Sequence, residues 1–370
     1  MLTYENRQPE FENPQCDNRC RRICEILHKL KAYEEDSTAK FVILKGNGKA
    51  FCAGGDVTAA INMIISGHWS FGGRFYRRQY ALDYLLATYK KPLVALINGI
   101  VMGGGAGISM HATFRLVTEK TVFAMPEAAI GLIPDVGASH FLSRLPGFFG
   151  EYLGLTGARL DGNEMVTCGL ATHFVHSKDL ASLEHALDVE GSSKALDVPA
   201  ISNIINKFGQ KVSIKKDSPY NRLEIINDCF CRETVEEIVS KLEGYLATNN
   251  SEKWITGAIK FMKAASPTSL KVFLKSIRKG RKQILPRCLV QEYNVLCHML
   301  RRTFHDDVFE GSRAMLIDKD KRPKWKPSKL ELVSEEMVDG FFDKVDDEEW
   351  EPLQLPHRSI AAYTTQNSKL

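Results

Sequence analysis

The chain has 370 residues, of which 44% are hydrophobic and 25% charged, as is ordinary for a soluble globular protein of one or two domains. Its net charge of +4 is too small and evenly spread to indicate nucleic acid binding, although it would tolerate a polyanionic cofactor such as a phosphorylated nucleotide. Nine cysteines without a disulfide-like framework favour a reducing intracellular compartment, and residues 1–18 lack the apolar core of a signal peptide.

Predicted strands and helices alternate over the first half of the chain. The connections between the strands are too long for hairpins, so the alternation predicts an α/β protein built in layers. The predicted strands are Phe41–Leu44, Leu93–Ile97, Arg115–Val117 and Thr121–Ala124, and the predicted helices are Cys16–Tyr33, Val57–Ser66 and Arg74–Thr88.

Beyond about Ser177 the pattern becomes predominantly helical. Glu190–Lys194 and the polar stretch Lys211–Asn221 are predicted to be loops within this part. The predicted helices are Leu180–Leu187, Thr234–Ala247, Trp254–Ala264, Pro267–Lys279 and Arg287–Arg302.

The segment Leu93–Met110 has 18 residues without a charge, which is close to the length of a membrane span. Four of its five glycines lie within Gly103–Gly107. A buried strand that turns through glycines into a buried helix fits this composition better than a transmembrane helix. We therefore expect no membrane association.

Two glycine-rich stretches, Gly46–Asp56 and Met102–Gly107, each follow an apolar segment and precede a predicted helix. Such turns expose backbone N–H groups that can bind a developing negative oxygen. Glu127 and Asp135 follow at a spacing of eight residues, each directly after a proline. The combination predicts an oxyanion hole that faces an acid/base pair.

The residues alone leave simpler interpretations open. The glycines could only form tight turns and allow close helix packing. Glu127 could merely favour a helix N-terminus, and Asp135 could be an N-cap.

Four motifs, GKAFCAGGDV, NGIVMGGGAGISMH, FAMPEAAIGLIPDVGASHFLSRLPG and FEGSRAMLIDKDKRPKWKP, occur in this order along the chain. They closely resemble the crotonase (enoyl-CoA hydratase/isomerase) superfamily, and within it the peroxisomal plant-type branch of the 3-hydroxyisobutyryl-CoA hydrolases. The resemblance runs from about Arg19 to Lys326. It implies a spiral α/β core of ββα units, a helical C-terminal region and hydrolysis of a CoA thioester in valine breakdown.

The resemblance also implies a division of the chain and a set of partners. Residues 1–178 would form the crotonase-like core, residues 179–345 a mainly helical region and residues 346–370 an acidic and polar tail. CoA would be part of the substrate, so no metal or redox cofactor is expected. A homo-oligomer remains possible.

By the same resemblance, the N–H groups of Gly55 and Gly104 form the oxyanion hole. Glu127 either attacks the thioester carbonyl, giving a mixed anhydride, or acts as general base on water. Asp135 contacts the substrate hydroxyl or handles a proton. Enoyl-CoA hydratases carry a glutamate where this chain has Gly107, so hydrolysis is the leading prediction and enoyl-CoA hydration or isomerisation the alternative.

The chain departs from the family pattern at two places. Gln79, in the segment FYRRQY, occupies the position of a substrate-contacting glutamate, so the charge there is lost. Met1–Gln15 matches none of the family's first two strands, which predicts a shortened N-terminus. A second alternative is therefore a non-catalytic acyl-CoA binder or an inactive truncated isoform.

The sequence ends in Ser368, Lys369 and Leu370, the tripeptide that the peroxisomal import receptor reads. A polar segment, His357–Asn367, precedes it, so the tripeptide is expected to be accessible. We therefore predict a peroxisomal location, with the mitochondrion or cytoplasm as alternatives.

Other chemistries lack the necessary pattern. Cys16, Cys20, Cys24 and His28 would span about 18 Å along a helix, so they cannot share one tetrahedral ion. The sequence contains neither a Walker motif nor a Gly-X-Ser-X-Gly elbow. No metal site and no serine nucleophile are therefore predicted.

Overall fold

The computed structural model describes residues 21–193, 197–248 and 253–358. Its strands all lie in the first half of this range, and helices make up most of the second half. The strands are β1 (Val42–Lys45), β2 (Ala50–Cys52), β3 (Leu93–Ile97), β4 (Ile100–Met102), β5 (Phe114–Val117), β6 (Val122–Ala124), β7 (Leu160–Asp161) and β8 (His173–Phe174). The helices of the first half are α1 (Arg21–Glu35), α2 (Val57–Ser66), α3 (Trp69–Ala87), α4 (Gly104–Met110), α5 (Ala138–Phe141), α6 (Phe149–Thr156) and α7 (Gly162–Cys168). Those of the second half are α8 (Leu180–Ser193), α9 (Val198–Asn206), α10 (Leu223–Phe230), α11 (Val235–Thr248), α12 (Lys253–Ala264), α13 (Pro267–Gly280), α14 (Leu285–Arg301), α15 (Asp307–Ser312) and α16 (Glu335–Gly340).

Successive strands alternate between two four-stranded sheets. One sheet has the order β1-β3-β5-β8 and is parallel throughout; the other has the order β2-β4-β6-β7, in which β7 is antiparallel to β6. Each pair of strands is followed by helical structure, as in β1-β2-α2 and β3-β4-α4. The chain therefore winds as a spiral of ββα units, which confirms the predicted fold class.

Strand β3 is buried along its whole length because both faces of its sheet are covered. Leu93, Ala95 and Ile97 belong to the large core that continues into the C-terminal helices. Val94 and Leu96 face a second, smaller core that α8 and α9 complete. This double coverage explains why the strand reads as a continuous apolar run.

The large core also joins the two halves of the chain. It extends from Leu30 to Leu353, and the longest C-terminal helix, α14, lies along α3 with Tyr293 edge-on to Tyr80 at 5.9 Å. The predicted boundary between residues 178 and 179 falls within the 3-10 helix Ser177–Asp179, and the large core includes residues on both sides of it.

Residues 346–358 run back over the N-terminal half. Asp347 accepts a hydrogen bond from the indole of Trp69 at 3.0 Å and pairs with Arg301. Arg358 forms a bidentate pair with Glu34 at 2.6 and 2.7 Å. The acidic tail is therefore attached to α1 and α3 within the described residues.

Most predicted elements are confirmed to within a few residues, and Val57–Ser66 and Leu93–Ile97 have the predicted bounds. Helix α3 begins five residues earlier than predicted, since His68 caps it by accepting from Ser70 N–H. The predicted break at 190–194 is wrong for residues 190–193, because α8 continues to Ser193. None of the helices in the described ranges is long and apolar enough to cross a membrane.

Candidate active site

The two glycine-rich loops meet where β2 and β4, parallel neighbours, end. A Cβ atom on Gly104 would lie 3.4 Å from the nitrogen of Gly55, and one on Gly54 would lie 3.6 Å from the nitrogen of Gly104. Within the described chain, no acceptor is found for the N–H of Gly55 or of Gly104. Two neighbouring backbone donors are therefore available for a ligand oxygen.

Glycine is required in these loops for two physical reasons. Gly54 and Gly103 have φ angles of 103° and 52°, in the region that side chains disfavour. A Cβ on Gly105 would lie 2.0 Å from the carbonyl oxygen of Cys52, so helix α4 could not begin so close to β2 with any other residue.

Glu127 follows β6 and opens the short 3-10 helix Glu127–Ile130 beside the Gly103 loop. A Cβ on Gly103 would lie 2.9 Å from Oε1 of Glu127, so the missing side chain leaves room for this carboxyl. Glu127 is only 7% exposed, and its Oε2 has no hydrogen-bond partner among the described residues. Burial, followed by repulsion from Asp135, raises the pKa of Glu127 well above its usual value.

Asp135 is the second buried carboxyl of the site. Its Oδ2 accepts a hydrogen bond from the hydroxyl of Tyr80 at 3.0 Å. Burial raises the pKa of Asp135 to about 7, and the hydrogen bond from Tyr80 opposes this rise. The alternative N-cap role is wrong, because Gly137 is the N-cap of α5 and only the backbone carbonyl of Asp135 accepts from Ala138 N–H, at 2.9 Å.

The loop that carries Asp135 is strained and clamped. Val136 has a φ of 55°, which is rare for a β-branched residue and signals stored strain. Glu292, from α14, accepts hydrogen bonds from Gly137 N–H at 2.7 Å and from the N–H and Oγ of Ser139 at 2.8 and 2.5 Å. His111 Nε2 lies 3.2 Å from the carbonyl oxygen of Val136.

Gln79 lies on α3, the helix that also supplies Tyr80 to Asp135. Its Nε2 donates a hydrogen bond to Oδ1 of Asp83 at 2.8 Å, one turn further along the helix. Asp83 is completely buried, and burial raises its pKa well above the usual value.

Gly107 has no space for a side chain. A Cβ there would lie 2.6 Å from Cβ of Val136 and 2.8 Å from Oδ1 of Asp83. The glutamate that hydratases carry at this position could therefore not be accommodated without rearrangement of the Asp135 loop.

Four carboxyls, those of Asp83, Glu127, Asp135 and Glu292, are buried around this site. The charged neighbours that raise their pKa values are other members of the same group. Within residues 21–193, 197–248 and 253–358, no three His, Cys, Asp or Glu side chains are placed so that they could hold a metal ion together. The site is suited to proton transfer beside a group of backbone donors.

The structure thus places Gly55, Gly104, Glu127 and Asp135 around one region, with Gln79 on the adjoining face of α3. The sequence interpretation missed Asp83 and Tyr80, although their spacing from Gln79 on a predicted helix was a usable signal. It also missed Glu292, which lies 155 residues from Gly137 and has no local signal. Ser368, Lys369 and Leu370 lie outside the described residues.

Comparison with known proteins agrees with this geometry. The enoyl-CoA hydratase/isomerase family matches residues 20–342. The chain is 51% identical over 353 residues to the probable 3-hydroxyisobutyryl-CoA hydrolase 3 of Arabidopsis thaliana, covering 95% of this chain and 92% of that one. It is 51% identical over 337 residues to 3-hydroxyisobutyryl-CoA hydrolase 1 of the same plant, covering 91% and 88%.

A solved structure shows the same fold. The crystal structure of a carnitinyl-CoA dehydratase from Mycobacterium thermoresistibile superimposes with a TM-score of 0.80 at 31% identity, covering 90% of this chain and 91% of that one. This chain therefore shares both its fold and about a third of its aligned residues with that dehydratase. The chain belongs to the enoyl-CoA hydratase/isomerase family, and within it to the 3-hydroxyisobutyryl-CoA hydrolases.

Proposed function

We propose that this chain hydrolyses the thioester of 3-hydroxyisobutyryl-CoA to the free hydroxy acid and CoA, as a step of valine catabolism. The similarity to the Arabidopsis hydrolases supports the reaction class. The observation that carries the proposal is the placement of the Glu127 carboxyl beside Gly103, where the two glycine loops present the N–H groups of Gly55 and Gly104.

The two backbone donors bind the thioester carbonyl oxygen. Negative charge develops on this oxygen when a nucleophile adds to the carbonyl carbon, and fixed donors stabilise that charge; loss of one such donor commonly costs about 2.7–4 kcal/mol. The N-terminus of α4 at Gly104 adds a favourable dipole at the same place.

Glu127 either attacks the thioester carbonyl itself or activates the water that attacks it. In one route its carboxylate adds to the carbonyl, the C–S bond breaks, and water then cleaves the resulting anhydride. In the other route it takes a proton from the water that attacks the carbonyl directly. Both routes consume one water, and the departing CoA thiolate receives a proton, so the products are the carboxylic acid and the free thiol.

Asp135 and Gln79 serve the hydroxylated acyl group. The Asp135 carboxyl, held by Tyr80, can accept a hydrogen bond from the substrate hydroxyl or exchange a proton near neutral pH. Gln79 offers an amide at the adjoining position of α3. CoA enters as part of the substrate, and the proposed reaction requires no metal or redox cofactor.

Release of free thiol from 3-hydroxyisobutyryl-CoA tests the activity directly. Purified wild-type protein should release thiol, whereas Glu127→Gln should lose at least about 99% of the rate while acyl-CoA binding by calorimetry is retained. Glu151→Gln is a matched control, because the carboxyl of Glu151 is also buried but pairs with Arg281, which follows the end of α13, and contacts none of the four site carboxyls.

The same preparation separates the alternatives. Loss of crotonyl-CoA absorbance without thiol release would instead assign enoyl-CoA hydration. Acyl-CoA binding with no turnover of either compound would assign a non-catalytic binder. Near-normal hydrolysis by Glu127→Gln would contradict the proposed role of Glu127.

The proposed compartment is the peroxisome, by recognition of Ser368–Leu370 by the import receptor. A fluorescent protein fused in front of the whole chain should give peroxisomal puncta, and deletion of the three residues should leave the fusion in the cytosol. Unchanged puncta after the deletion would refute the targeting role.

A further inference from the structure

One face of α3 borders the group of buried carboxyls. Tyr76, Gln79, Tyr80 and Asp83 follow at spacings of three, one and three residues, so they project from the same side of the helix. All four are buried. Since Tyr80 donates to Asp135, this is the face that reaches the candidate active site.

The orientation of the Gln79 amide is set by Asp83. A primary amide can present either its N–H donors or its carbonyl acceptor to a ligand, and a rotation of the group exchanges them. Here the amide nitrogen is bound to Oδ1 of Asp83 at 2.8 Å. The carbonyl oxygen of Gln79 is consequently the end left to accept a hydrogen bond.

Asp83 supplies a carboxyl one helical turn from the position where the resemblance predicts a substrate-contacting glutamate. Its Oδ2 has no hydrogen-bond partner within the described part of the chain, and its side chain has no exposed surface. A buried carboxyl with a single amide partner is costly to stability, and costs of this kind are typical of functional sites.

We propose that Asp83 is a positioning residue that makes the enzyme selective for a hydroxylated acyl group, because it holds Gln79 with its carbonyl oxygen available to the substrate hydroxyl. This inference rests on the proposed thioester hydrolysis and concerns the same site. Asp83 itself does not touch the substrate in this arrangement; it acts through Gln79.

Exchange of the acid and the amide provides the test. Hydrolysis of 3-hydroxyisobutyryl-CoA and of isobutyryl-CoA, which lacks only the hydroxyl, is measured for wild type, Asp83→Asn, Gln79→Glu and the double variant Gln79→Glu/Asp83→Asn. The double variant keeps one acid and one amide and reverses their hydrogen bond. Glu151→Gln is again the control for loss of a buried carboxyl.

Wild type should prefer the hydroxylated substrate in kcat/KM. The amide of Asp83→Asn can rotate and donate to the carbonyl oxygen of Gln79, which a carboxylate cannot do, so it no longer keeps that oxygen available. Asp83→Asn should therefore reduce this preference by about ten-fold, the effect of one neutral hydrogen bond, through slower hydrolysis of the hydroxylated substrate alone. The double variant should recover most of the preference, and the control should keep it. A merely structural Asp83 would instead slow both substrates equally.

Two results would overturn the inference. One is an Asp83→Asn variant that keeps the wild-type preference; the other is a double variant whose losses equal the sum of the single variants. Wild-type protein that hydrolyses neither thioester would contradict the proposed function, and the inference about Asp83 would fall with it. Circular dichroism and thermal unfolding of every variant identify a loss that is due to misfolding.

Discussion

Replacement of Asp135 by asparagine should remove activity and, at neutral pH, stabilise the fold. Burial raises the pKa of Asp135 from its ordinary value of 3.8 to about 7. Between pH 4 and 7 the folded state thus retains a proton that the unfolded chain has released. The free energy of unfolding therefore falls progressively as the pH rises over this interval. Below pH 4 the group is protonated in both states and makes no difference.

The magnitude follows from the pKa change. A rise from 3.8 to about 7 corresponds to about 4 kcal/mol, at about 1.4 kcal/mol for each pH unit. Asparagine removes this penalty and still offers an oxygen to the hydroxyl of Tyr80. Loss of the charge also lowers the pKa of Glu127, since Asp135 contributes to its rise, and this acts in the same direction.

Urea unfolding of wild type and Asp135→Asn at pH 4, 5, 6, 7 and 8 measures the effect. The free energy of unfolding of the variant should exceed that of wild type by an amount that grows from near zero at pH 4 to several kcal/mol above pH 7. Glu151→Gln, which breaks the pair with Arg281, should instead lose stability and show no such gain. A constant difference between Asp135→Asn and wild type across this range would refute the reasoning.

Two further substitutions test the packing of the site. Gly107→Ala should destabilise the protein by about 1–3 kcal/mol and lower kcat, because the added methyl would meet Val136 and Asp83 at 2.6 and 2.8 Å. Denaturant unfolding measures the first effect and the thiol assay the second. Unchanged stability would contradict the predicted clash. Glu292→Ala should lower kcat at least ten-fold, since three donors lose their acceptor and the strained loop of Asp135 is released. Steady-state kinetics on the folded variant measures this effect. A wild-type kcat would show that the loop keeps its shape without Glu292.

Sequence reasoning succeeded where the signal is local. The periodic helices and the apolar strand Leu93–Ile97 were predicted nearly to the residue, because burial on one or both faces imposes a pattern on neighbouring residues. The two glycine loops were predicted to present backbone donors, and the N–H groups of Gly55 and Gly104, which have no acceptor among the described residues, lie next to each other. The sequence also suggested that Glu127 favours a helix N-terminus, and Glu127 opens a short 3-10 helix.

Sequence reasoning failed where a residue's environment depends on distant parts of the chain. Taken alone, Asp135 resembled an N-cap because glycine and small residues follow it. Its carboxyl instead accepts a hydrogen bond from the hydroxyl of Tyr80 on α3. The acceptor that holds the Asp135 loop was not predicted at all, because Glu292 lies 153 residues from Ser139. In both cases the deciding contact is a hydrogen bond inside the core.

The order of residues by itself determined the family, the alternation of strands and helices, and the chemical groups available for catalysis. Only the tertiary structure decided which groups share one buried space: α14 brings Glu292 to the loop of Asp135 across more than 150 residues. The pKa of each buried carboxyl then rises, because a low-dielectric interior penalises the charged form. Repulsion from Asp135 raises the pKa values of Glu127 and Glu292 further. Sequence separation carries no information about that shared environment, which exists only once the helices have packed.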